Sequence, residues 1–167
     1  MTIAEIMEKR IAFSNGDRHD IDHFIRVWTF ARTIAEGEGI DAETRFILEA
    51  AAITHDIACP LCREKYGYTN GKYQEREGAP MVRRFFADCD LRDEIVERIA
   101  WLVGHHHSFA EIDGPDHQIL LEADFLANAV ENDWSPRKRA FFRDRFMKTE
   151  SARRLLRALF PTETDRE

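Results

Sequence analysis

The sequence predicts an all-α protein of a single domain. Two observations carry this expectation. Apolar residues recur at three- and four-residue spacing through almost the whole chain, and no segment alternates with the period of two that marks a strand. A length of 167 residues suits one domain and can bury a sizeable core without disulfides.

Each element can be justified in turn. Ile3, Ile6, Met7 and Ile11 mark a first helix that ends near Asn15-Gly16. Asp20 is the expected N-cap of a second, in which Phe24, Val27, Trp28, Ala31 and Ile34 recur, and Gly37 and Gly39 close it. Asp41 can cap a third helix that turns Phe46, Ile47, Ala50 and Ala51 inward and ends near Ile57, before Pro60. Residues 58 to 71 read as a loop, with turn signals at Gly67 and Asn70-Gly71. A short helix follows from Lys72, and Pro80 starts another or kinks this one, through Phe86. Helical spacing returns from Leu91 to His105. A loop at Asp113-Gly114-Pro115 leads to a helix from about Asp116 to Val130. Ser135-Pro136 opens a further long helix by the N-cap and N1-proline signal. Leu155, Leu156, Leu159 and Phe160 suggest a last one, and Thr162 to Glu167 are expected to fray.

Composition excludes several function classes. The formal net charge of −7 argues against broad nucleic-acid binding, which needs a positive surface. The cysteines are three, Cys59, Cys62 and Cys89, a count that suits a reducing compartment. The stretch MTIAEIMEKR carries acids where a secretory signal has an apolar centre, and no apolar run approaches the roughly 20 residues needed to cross a bilayer. A soluble, cytoplasmic protein without a membrane partner is expected. Cys59-Pro60-Leu61-Cys62 is a lone CxxC, read as small apolar loop residues and not as a redox or zinc site. Between Ser135 and Phe160 nine Lys or Arg face two acids, read as two amphipathic helices with solvated basic faces.

The chemistry lies in polar residues on apolar faces. On a helix, His55 shares a face with Leu48, Ala51 and Ala52, and Asp56 is about 100° further round. His23 lies in line with Val27, Phe30 and Ile34. Asp124 interrupts the apolar run from Ile119 to Ala127. A buried carboxylate needs a positive partner. A Lys or Arg is the plain answer. A divalent metal is the other, since two imidazoles and two carboxylates form an N2O2 set suited to Mn, Fe, Ni, Co, Zn or Mg.

The order His23, His55-Asp56, Asp124 resembles the H…HD…D signature of the HD-domain superfamily of metal-dependent phosphohydrolases. His23-Phe24-Ile25-Arg26-Val27 is similar to that family's H-x-x-R-V helix, and Leu121-Glu122-Ala123-Asp124-Phe125-Leu126 to its closing segment. The likeness spans about residues 20 to 130 of one HD-like domain, with residues 135 to 160 as appended helices. His19-Asp20 is a second HD dipeptide, read as a helix cap. The resemblance implies that His23, His55, Asp56 and Asp124 bind a metal, that Asp56 can bridge to a second, and that metal-activated water attacks a phosphomonoester or phosphoanhydride, with a nucleotide as the expected substrate.

Relatives with two metals carry a paired histidine like His105-His106 and another in an upstream segment, which here reads Gln74-Glu75-Arg76-Glu77-Gly78. Glutamine stands in place of that ligand, so one or two ions remain open, with Glu75 or Glu77 as substitutes. His105 and His106 are expected near the site, as metal or phosphate contacts. Adjacent helical residues diverge by about 100°, so His105, His106 and His107 converge only where the helix ends. Lys72, at a helix start, is a candidate phosphate contact, with Arg26 as helper. Alternatives are a di-iron oxygenase, a metal-stabilised module binding a nucleotide or a protein, and a bundle whose polar core pairs with Arg or Lys.

Overall fold

Capping groups decide where the helices begin in the computed structural model, which describes residues 1–161. Nine helices lie among the described residues: α1 Ile3–Phe13, α2 Arg18–Gly37, α3 Ala42–Thr54, α4 Cys59–Tyr66, α5 Gly71–Phe86, α6 Asp93–Val103, α7 Gly114–Glu131, α8 Pro136–Arg145 and α9 Glu150–Leu159. Thr2 and Glu5 close a capping box on α1, and Asp41 accepts from the Glu43 and Thr44 amides at the start of α3. No strand occurs among the described residues, as the spacing predicts. The expected fraying of residues 162–167 lies outside them.

Several expectations are corrected. Asp17, not Asp20, caps α2, by accepting from the Asp20 amide. Asp20 lies a turn inside, buried, where Arg63 holds its carboxylate at 2.7 Å, so His19-Asp20 is not a cap. Part of the expected loop 58 to 71 is α4. Pro60 sits in its first turn, where a missing amide costs nothing, and Gly67 ends it in the left-handed region at φ +79°. Pro80 neither starts a helix nor stops one. It lies on an exposed face inside α5, which runs unbroken to Phe86. α3 ends at Thr54 and α6 at Val103, both short of the expected Ile57 and His105.

The helices pack because each apolar stripe meets another. α2 packs on α7 and α3, α6 on α3 and α5, and α9 against α2 and α7. Ile34, Leu48, Ile53, Ile99, Leu120 and Leu126 are fully buried at these contacts, each contributing about 1.5–3 kcal/mol of transfer free energy. Glu122 is fully buried as well. Its Oε1 accepts from Gln118 and from the Lys148 and Thr149 amides, and its Oε2 from the Thr149 hydroxyl. This carboxylate therefore fastens the start of α9 to α7. Of the two amphipathic helices expected at the C-terminus, α9 buries Ser151, Ala152 and Leu156, whereas α8 buries no residue.

Candidate metal centre

Four segments bring polar side chains to one place. α2 contributes His23 and α7 contributes Asp124 from their inward faces. The other donors stand in turns just past helix ends. His55 and Asp56 follow the last residue of α3, and His106 and His107 follow the end of α6. Leaving the helix matters, because adjacent residues in one would point about 100° apart. In the turns they converge.

His23 Nε2 lies 3.1 Å from His55 Nε2, 3.2 Å from Asp124 Oδ1 and 3.5 Å from Asp56 Oδ2. His55 Nε2 lies 3.5 Å from Asp56 Oδ2 and 3.7 Å from Asp124 Oδ1. Ligands about 2.1 Å from a common cation stand roughly 3.0–3.5 Å apart in octahedral or tetrahedral arrangements, a spacing these donors match except between His55 and Asp124, at 3.7 Å.

Ring orientation is fixed from behind. His23 Nδ1 meets Glu131 at 2.8 Å, His55 Nδ1 meets the Ala52 carbonyl at 2.8 Å and His106 Nδ1 meets the Val103 carbonyl at 2.7 Å. Each Nδ1–H donates outward, which turns Nε2 toward the centre. Two Nε2 atoms 3.1 Å apart need a proton or a cation between them, because two bare lone pairs at that distance repel. His106 Nε2 is buried without a hydrogen-bond partner, 3.4 Å from Asp56 Oδ1. Asn128 Nδ2 donates to Asp124 Oδ1 at 2.7 Å and orients that carboxylate. Among the described residues no Lys or Arg pairs with Asp56 or Asp124, whose ion-pair partners are all histidines. The pairing of the polar core with Arg or Lys is therefore absent here.

The family model of the HD domain matches residues 20–140. The chain belongs to the HD-domain family. A crystal structure of a predicted HD superfamily hydrolase from an uncultured Thermotogales bacterium is similar in fold, with a TM-score of 0.68 and 23% identity over 94% of this chain and 84% of that one. A comparison with curated proteins gave no match.

In this HD-domain chain a second group of donors joins the first through Asp56. Its ligand atoms come from Asp56, His106 and His107. The expected pair was His105-His106, and the structure selects His106-His107 instead. His105 turns away, its Nδ1 donating to the Trp101 carbonyl at 2.7 Å and its ring stacked on Trp101 at 4.1 Å. α6 ends two residues earlier than expected, which rotates the outward and inward positions. Gly104, at the helix C-cap, is the signal in the sequence for that early stop. Gln74 Oε1 lies 2.8 Å from His107 Nε2, so glutamine faces the second group.

The remaining candidates divide. Glu75 accepts from the His107 amide and the Ser108 hydroxyl, and so shapes the turn. Glu77 is occupied elsewhere by Lys65, Arg76 and Tyr66. Arg26 pairs with Glu131 at 3.0 Å, behind His23. Lys72 is exposed and does not line the cavity over the centre, because the first turn of α5 projects it outward. That cavity, of about 220 Å³, is lined by His23, Asp56, Asp124, His107 and Gln74 and, on the α4 side, by Arg63. Among the described residues Arg63 is its one Arg or Lys. Reading 58 to 71 as loop hid it, although Pro60 in the first turn of α4 is a helix-start signal. Cys59 also lines the cavity and Cys62 is buried in α4, so both lie on a helix.

Charge is held tightly here. Burial works against protonated His23, but hydrogen bonds with Asp124 and Glu131 and the charge of Asp56 outweigh it, raising the pKa to about 10. Burial also opposes ionised Asp56, yet His55 and His106 hold its carboxyl well below the usual range. Burial and the neighbouring His106 push His107 down to about 4. The centre is thus a preformed place for positive charge.

Proposed function

We propose that this HD-domain protein is a metal-dependent phosphohydrolase acting on a phosphomonoester or phosphoanhydride, with a nucleotide as the expected substrate. One observation carries the reading: Nε2 of His23 and of His55 turn inward onto two carboxylates that no Lys or Arg among the described residues neutralises. His23, His55 and Asp56 would hold the first cation together with Asp124, 3.2 Å from His23, and Asp56, His106 and His107 a second. A bound divalent cation supplies charge against phosphoryl oxygens and lowers the pKa of a water ligand.

The chain's own groups do the rest. Hydrolysis forms a bond from a water oxygen to phosphorus and breaks the bond to the leaving oxygen, which gains a proton. Glu131, Asn128 and the Ala52 and Val103 carbonyls keep the donors aligned. Arg63 faces the cavity with Asp17 and Asp20 fixing its guanidinium, and it is placed to meet a phosphoryl oxygen. It takes the role expected of Lys72. Family membership supports a hydrolase, and the buried His and Asp set supports metal dependence.

Elemental analysis of the purified protein, followed by phosphate release from a nucleotide panel with added Mn, Co or Ni, tests this. His55→Ala and Asp124→Ala are expected to lose both stoichiometric metal and about a hundredfold or more of turnover. Retention of full activity by either variant overturns the assignment.

A further inference from the structure

Beside the metal centre lies a second cavity that the phosphate chemistry does not use. It measures about 380 Å³, within the roughly 300–1,000 Å³ of ligand pockets. Phe109, Trp134, Phe141, Phe142 and Phe146 form most of its wall, with Phe125 beneath. Phe125 and Phe142 stack at 3.8 Å with planes 7° apart, and Phe109 meets Phe142 edge-on at 5.5 Å. α8 supplies Phe141 and Phe142, and although Phe142 packs in part against the core no residue of α8 is buried, so its aromatic side also borders this space. Phe141 is 59% exposed at the rim.

The position of the chamber names its occupant. His107, Asp124 and Asn128 line both this chamber and the cavity over the metal centre. The polar groups of the chamber are those three, all on the metal side, and Lys138, whose Nζ sits 3.3 Å above the Trp134 ring. A molecule with phosphorus at the centre therefore carries its organic part into an aromatic box with few hydrogen-bonding partners. We propose that the chamber binds a flat aromatic group of the substrate by stacking, and so selects aromatic phosphate esters, nucleobase-bearing or simple aryl, over sugar phosphates. The inference rests on the phosphohydrolase reading for the position of the phosphate.

Binding and turnover separate the two ideas. Calorimetry on the metal-loaded protein, with 1-naphthylmethylphosphonate against glucose 6-phosphate, is expected to show about tenfold or more tighter binding of the aromatic probe. Phe142→Leu keeps the apolar bulk, removes the ring, and is expected to erase that preference. Phe141→Ala, at an exposed position, is expected to reduce it without a risk to folding. Turnover of 1-naphthyl phosphate, adenosine 5′-monophosphate and glucose 6-phosphate then identifies which aromatic class is served, with the first two expected to have the lower KM. A preference in binding with no phosphate release keeps the chamber and sinks the phosphohydrolase. Phosphate release without an aromatic preference, or a preference that survives Phe142→Leu, overturns the chamber alone. A dimer that Phe141→Asp dissociates also overturns it, because a second copy would then cover the face.

Discussion

His23, His55 and His106 present Nε2 inward because each Nδ1 already has an acceptor. Two of those acceptors are backbone carbonyls of the preceding turn. The third is the Glu131 carboxylate, the one that mutation can remove. Glu131 also holds Arg26, so its charge does two jobs behind the ring of His23. Glu131→Gln keeps the shape but weakens the hold on Nδ1–H. It is expected to lower divalent-metal affinity by about 10–100-fold without unfolding the protein. Competition with a chromophoric chelator measures it, and unchanged affinity would show that Glu131 does not orient His23. Gln74 at 2.8 Å from His107 places an amide where another imidazole would complete the second donor group. That group is consequently one nitrogen poorer, and the first is expected to bind more tightly.

Helix ends, more than helix faces, assemble the centre. α3 and α6 both stop before their histidines, and the turns that follow let neighbours aim together. α5 and α6 also approach closely at Gly78, where an added Cβ would lie 2.8 Å from Val103 Cγ1. This packing sets the turn after α6 against Gln74 and Glu75. At the other end of the chain, α9 depends on a single buried acid. Glu122→Ala leaves the Lys148 and Thr149 amides without their acceptor. It is expected to cost about 3 kcal/mol, given roughly 1–3 kcal/mol for each unsatisfied buried group. Urea unfolding measures the loss, and amide exchange is expected to show α9 opening before α7. A loss below about 1 kcal/mol would mean that water replaces the carboxylate.

The whole molecule builds its fold around a charge imbalance. Asp56 and Asp124 stand together with histidines as their only ion-pair partners among the described residues. A bound divalent cation couples to stability as any ligand of the native state does, worth about 2.7 kcal/mol at a concentration 100 times its dissociation constant. Chelation is therefore expected to lower Tm while leaving far-UV helicity intact at low temperature. The same chelator is expected to leave the Tm of Asp124→Ala unchanged. A wild-type Tm insensitive to chelation would mean that the donors bind no cation. No helix among the described residues is long and apolar enough to cross a membrane, and the net charge of −7 leaves positive charge for local tasks such as Arg63.

The sequence by itself determined the all-α class and singled out four polar residues, His23, His55, Asp56 and Asp124, that the fold brings together. Both are local properties. Helical spacing repeats within each segment, and a histidine or aspartate on an apolar face is anomalous wherever the rest of the chain lies. Only the tertiary structure decided that His106 and His107 face Asp56 while His105 stacks on Trp101. It also decided that Arg63 on α4 faces the cavity, and that Phe109 from the segment between α6 and α7 joins four aromatic residues of α8 and its flanks around a chamber beside it. These placements depend on the residue at which a helix stops and on which distant segments pack together. A shift of one residue turns a side chain by about 100°, and short-range spacing does not record that choice.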